Sequence, residues 1–159
     1  MAYEPPPLMP RAALRLGFLG VAPLVVAGLV ALSSDREAAR LGATAFALYA
    51  ACLLSFLGGT RCGLEIARAP QRPDGLRLAF SAAPVLAGWA LALIVIALRG
   101  ALPATAAFAG LFAAQWVWDA KSTRDAEAPA WYPLLRQVLT GAAMIACMLI
   151  PLATMLGRI

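Results

Sequence analysis

Long stretches without formal charge constrain this chain more than any motif does. They run from Leu16 to Leu32, Leu41 to Thr60, Leu78 to Trp118 with a single break at Arg99, and Gln137 to Gly157. A helix rises about 1.5 Å per residue and the hydrocarbon layer is about 30 Å thick, so roughly 20 residues cross it once. The third stretch is too long for one crossing. Arg99 and Gly100, with Pro103 just beyond, predict a tight hairpin that divides it in two. The expected fold is therefore all-α, a polytopic membrane protein built as a bundle of five transmembrane helices at about 16–32, 41–60, 78–98, 101–118 and 137–157. Residues 1–13, with Pro5, Pro6, Pro7 and Pro10, read as an extended cytoplasmic tail ahead of a five-span domain over 14–159.

Composition agrees. The hydrophobic set makes up 62% of the residues and charged side chains 13%, with a mean hydropathy of +0.80. Soluble domains run about 45–50% apolar, glycine included, and about 25% charged. The net charge of +5 accompanies so much apolar surface that it reads as topology and lipid chemistry, with no nucleic-acid partner. Twelve arginines to one lysine, with alanine and leucine dominant, suggest a GC-rich bacterial genome.

Catalytic residues are hard to assign. The chain has no histidine, which removes the commonest metal ligand and general base together. Cys52, Cys62 and Cys147 are scattered, with no C-x-x-C, and are expected to pack as small apolar residues. None of the eight acidic residues lies deep inside a span, so there is no metal-binding pair and no paired general acid and base. No catalytic, cofactor-binding or metal-ligating residue is assigned, and the chain is not expected to be an enzyme.

Lysine and arginine counts set the expected orientation. Arg11, Arg15, Arg61, Arg68, Arg72, Arg77, Lys121, Arg124 and Arg136 fall on one side of the predicted spans, and Arg36, Arg40, Arg99 and Arg158 on the other. The positive-inside rule places the amino terminus in the cytoplasm and the carboxyl terminus in the periplasm of a bacterial inner membrane. Trp116, Trp118, Trp131 and Tyr132 gather at the same predicted cytoplasmic boundary, where amphipathic rings settle. The first span also resembles a secretory signal, with Ala31-Leu32-Ser33 as a small-residue site, although a retained helix is the favoured reading.

Two further patterns bear on packing and function. Ala43, Ala47, Ala51, Ser55, Gly59 and Gly63 recur every four residues along the second span, a slanted seam over which helix backbones can approach closely. A neighbouring helix of the same chain is the favoured partner, another subunit the alternative. Polar residues also collect at one predicted membrane edge. Arg61 and Glu65 are one turn apart and Arg68 follows at three, so a second helix that continues past the bilayer lines its charges in one stripe up to Pro70; Gln115 and Asp119 share a face, and so do Arg136 and Thr140. Asp119 is expected to pair with Arg136 or Arg61, and Glu65 with the arginine left over. A structural clamp, an anionic lipid-headgroup site and a proton or substrate site are the three readings of this cluster.

The segment from Tyr49 to Gly63, with Leu54-Ser55-Phe56-Leu57-Gly58-Gly59-Thr60-Arg61 at its centre, resembles a signature of the transmembrane protein 69 family, the bacterial domain of unknown function 3429. Asp119, Trp131-Tyr132-Pro133-Leu134-Leu135-Arg136 and Leu139-Thr140 are similar to that family's second signature. Where its members typically carry tryptophan before the last glycine, this chain carries Cys62. The resemblance, from about Ala12 to Met155, implies a small multi-span protein of bacterial or mitochondrial inner membranes and brings no established activity. The reading that follows is an accessory, assembly or structural subunit of a larger membrane complex, with membrane lipids and other membrane-protein subunits as partners. The alternative is a small transporter or ion-coupled permease using the polar cluster.

Overall fold

A computed structural model of the chain describes residues 9–98, 102–124, 129 and 131–159. It is all-helical: α1 (Arg11–Val30), α2 (Arg36–Arg68), α3 (Gly75–Ala97), α4 (Leu102–Arg124) and α5 (Tyr132–Met155). The expected hairpin at Arg99 and the first eight residues of the expected tail lie outside the described residues.

Local chemistry explains the helix ends. Pro10, at the N-cap of α1, has φ −62°, within the range its ring fixes. The helix therefore starts at Arg11, inside the segment expected to be extended. Asp35 caps α2, its carboxylate accepting from the Glu37 and Ala38 amides, and Asp74 caps α3 through the Leu76 amide at 2.8 Å. Both satisfy donors that a helix start leaves open. At the end of α5, Gly157 takes φ +66° while the Arg158 and Gly157 amides donate to Ala153 O and Thr154 O. That is a Schellman closure, and its left-handed position favours glycine.

The helices form a ring in chain order, α1 beside α2, α2 beside α3, α3 beside α4, α4 beside α5 and α5 back against α1, with α2 also touching α4 across the centre. Phe46 and Phe108 make that central contact edge to face, ring centroids 6.5 Å apart. Leu24, Leu54, Cys147 and Ile150 are among the fully buried side chains around it. Glycine sets the tightest approaches. A Cβ on Gly42 would lie 2.4 Å from Ala31 N, and one on Gly58 2.3 Å from Ser81 O. Thus α1 and α3 press against the α2 backbone from two sides.

The seam of small residues follows this packing for only part of its length. Ala43 and Ala47 are buried, whereas Gly59 and Gly63 are exposed, with open space where a Cβ would stand. At 3.6 residues per turn each four-residue step overshoots by about 40°, so the row drifts about 200° from end to end. Its lower members have left the contact face, and Gly58 supplies the close approach instead.

Elsewhere the surface is apolar. Leu16, Leu19, Phe56, Leu86, Trp89 and Ile145 are all more than half exposed, far more than a water-facing surface carries without consequence. Among the described residues, α1, α2, α3 and α5 are long and apolar enough to cross a membrane. α4 carries Thr105, Gln115 and Asp119 in its sequence, and all three are buried inside the bundle. The molecule is a polytopic membrane protein.

Candidate functional site

Three helices bring their charges to one end of the bundle. Arg61 comes from α2, Asp119 from the last part of α4 and Arg136 from the first turns of α5, and all three are at least nine-tenths buried. Arg61 Nη2 pairs with Asp119 Oδ1, and Arg136 Nε donates to Asp119 Oδ2. One carboxylate thus answers two guanidinium groups, each on a different helix. A buried carboxylate with charge-assisted partners at both oxygens is a strong, directional tie, and one whose members are costly to remove singly.

Trp118 belongs to this assembly. Its ring lies 5.4 Å from the Arg61 guanidinium carbon, in cation–π range, and meets Phe80 of α3 edge to face at 6.4 Å. The residue expected only as an interface aromatic therefore backs an ion pair. Trp131 and Tyr132 pack edge to face at 6.3 Å where α5 begins, and Trp116 is partly exposed.

Glu65 departs from expectation. It takes neither leftover arginine, because Asp119 engages both Arg61 and Arg136. Instead its carboxylate accepts from Arg68 Nε and Nη2 at 3.1 and 3.0 Å and from the Asp74 amide at 2.8 Å, with Arg77 Nη1 at 3.6 Å. Buried itself, Glu65 staples the connection between α2 and α3. The extension of α2 to Arg68, one turn past Glu65 and about two past Arg61, puts this stripe within reach of the loop. Asp74-Gly75 before an apolar run is a helix-start signal that could have placed the loop there.

Gln115 and Thr140 are buried as well, one turn along their helices from Asp119 and Arg136. Gln115 Oε1 and Arg136 Nη2 have no hydrogen-bond partner among the described residues. No group of three or more metal-ligating side chains comes together among those residues.

Beside the clamp lies a cleft of about 550 Å³ between α1, α2 and α5, floored by Phe112 of α4. Leu16, Gly20, Leu53, Phe56, Leu139 and Ala143 are among the residues of its apolar wall, and Arg136, Thr140, Thr60 and Tyr132 supply polar groups. Tyr49 also borders it, donating its hydroxyl to Gly20 O at 2.8 Å. Pro23 has no N–H for the carbonyl four residues before it, and the adjoining carbonyl is the one that Tyr49 satisfies. Cys147 packs in the core as expected, whereas Cys52 is exposed and faces the cleft.

The profile of a family described as "Protein of unknown function (DUF3429)" matches residues 9–153. The chain belongs to this family. It is also 30% identical over 149 residues to Transmembrane protein 69 of Xenopus tropicalis, an alignment covering 85% of this chain and 51% of that protein. The chain thus spans about half the length of this curated relative. No solved structure matches the chain significantly. The match to this family takes in both parts of the clamp, from Arg61 to Arg136.

Proposed function

We propose that this DUF3429 protein is a non-catalytic accessory or structural subunit of a larger complex in a bacterial cytoplasmic membrane, with the clamp end facing the cytoplasm. One observation carries the reading: the acidic groups at that end, Asp119 and Glu65, are engaged by the chain's own arginines and tie helices and a loop together. They hold the bundle in one arrangement and do not stand open to a substrate. The orientation rests on the arginines of the α2–α3 connection and on the aromatic rings at the same end.

Purification of the tagged full-length chain from its native membranes in mild detergent tests the role. Stoichiometric membrane-protein partners are expected, and a homogeneous homo-oligomer without partners would refute it. Single cysteines introduced at Arg72 and at Ser34 test the orientation. In intact cells, the Ser34 position should react with an impermeant maleimide and the Arg72 position should not.

The transporter reading draws on the cleft reaching Arg136. It predicts that Asp119→Asn, if folded, abolishes uptake of some solute and impairs growth. Normal growth with that folded variant favours the accessory role.

A further inference from the structure

The cleft has the shape and polarity of one membrane leaflet in miniature. Along α5 it runs from Tyr132 to Ala143, and along α2 from Thr60 to Tyr49. Either path is about 16 Å at the helical rise, close to half of a hydrocarbon layer of about 30 Å. Its volume of about 550 Å³ lies inside the range of small-ligand sites, roughly 300–1,000 Å³. The long walls are mainly leucine, phenylalanine, alanine and glycine, with Thr140 along them and Tyr49 at the far end, its hydroxyl already bonded to Gly20 O, while Trp131, Tyr132, Arg136 and Thr60 stand at the clamp end.

Among the described residues, Arg61 and Arg136 share the carboxylate of Asp119 at that end. Arg136 stands in the wall of the cleft, is nine-tenths buried, and its Nη2 lacks a hydrogen-bond acceptor among the described residues. A buried guanidinium nitrogen without an acceptor is costly, and an anionic oxygen is its best partner.

We propose that the cleft is a binding site for one acyl chain bearing an anionic head, with the chain against Leu53, Phe56 and Leu139 and the phosphate or carboxylate at Arg136. A second protein helix fits less well, because a segment about 10–12 Å across needs more than a one-leaflet slot whose charged group, Arg136, stands at one end. The occupant comes from the leaflet itself, as an anionic phospholipid or a free fatty acid.

Native mass spectrometry of the full-length chain released from nanodiscs of equimolar phosphatidylglycerol, phosphatidylcholine and oleate tests this. One lipid per chain should stay bound, with phosphatidylglycerol preferred to phosphatidylcholine by about tenfold, the size of one charge-assisted hydrogen bond. Retention of oleate in place of phosphatidylglycerol keeps the site and identifies the source as free fatty acid. Equal retention of phosphatidylcholine and phosphatidylglycerol overturns the proposal. Gly20→Leu, at a position with open space around its Cβ, should fill the slot and lower retention at least tenfold, and unchanged retention overturns it. Arg136→Gln should keep a lipid but lose the preference.

Should Arg136→Gln fail to fold, the native thiols give the answer on the unaltered chain. Cys52 lies in the cleft and Cys62 does not line it. Phosphatidylglycerol should slow alkylation of Cys52 by an apolar maleimide and leave Cys62 unchanged, and equal rates at Cys52 with and without the lipid count against the site.

Discussion

Asp119 is the residue on which the clamp end depends. Its removal leaves two arginines facing each other in a buried setting, and breaking a buried pair from one side costs about 3–5 kcal/mol. Asp119→Asn should therefore lower the unfolding midpoint in detergent steeply. The triple replacement Arg61→Leu, Asp119→Leu and Arg136→Met removes all the charge at once and should recover most of that loss. Melting curves followed by tryptophan fluorescence separate the two, and a triple variant as unstable as the single one would contradict the geometry. That Asp119 pairs with Arg136 or Arg61 was legible in the sequence, because five helices in alternation bring all three to one end; that one carboxylate takes both was not. Arg68 stood on the same stripe three residues beyond Glu65, whereas the Asp74 amide and Arg77 depend on the path of a loop and enter only once it has folded back.

At the scale of the helix, the charge-free runs located all five elements but stopped short of each helix at the clamp end. Charge-free runs find where lipid must be met, whereas a helix continues until its backbone groups are capped. Thus α2 runs past Thr60 to Arg68, and α5 begins at Tyr132 ahead of Gln137. The small-residue row shows a second limit, since spacing alone does not say which turn of the helix faces a neighbour. Gly58→Ala should destabilise the bundle by about 1–3 kcal/mol through overpacking, because its Cβ would sit 2.3 Å from a backbone carbonyl oxygen. Its neighbour Gly59→Ala meets nothing within 4 Å and should be neutral or slightly stabilising through helix propensity. Thermal denaturation of the two variants in the same detergent distinguishes contact from composition.

For the molecule as a whole, ring closure puts α1 against α5, and that junction together with α2 leaves the cleft. Neither follows from periodicity: a cleft is where side chains fail to fill space, and that is decided by how three helices meet. Membrane residence, by contrast, was fixed by the apolar runs. The 33 residues of α2 extend about 50 Å, well beyond a layer of about 30 Å. Arg40, exposed near one end, and Arg61, locked into the clamp at the other, stand about 32 Å apart at the helical rise. The two arginines act as the jaws of a caliper. A thicker bilayer drags one of them toward hydrocarbon and a thinner one strips lipid from the apolar stretch between. Reconstituted into phosphatidylcholines of graded acyl length, the protein should be most heat-resistant near an ordinary hydrocarbon thickness of about 30 Å and less so on either side. The bundle is thereby matched to membranes of one depth.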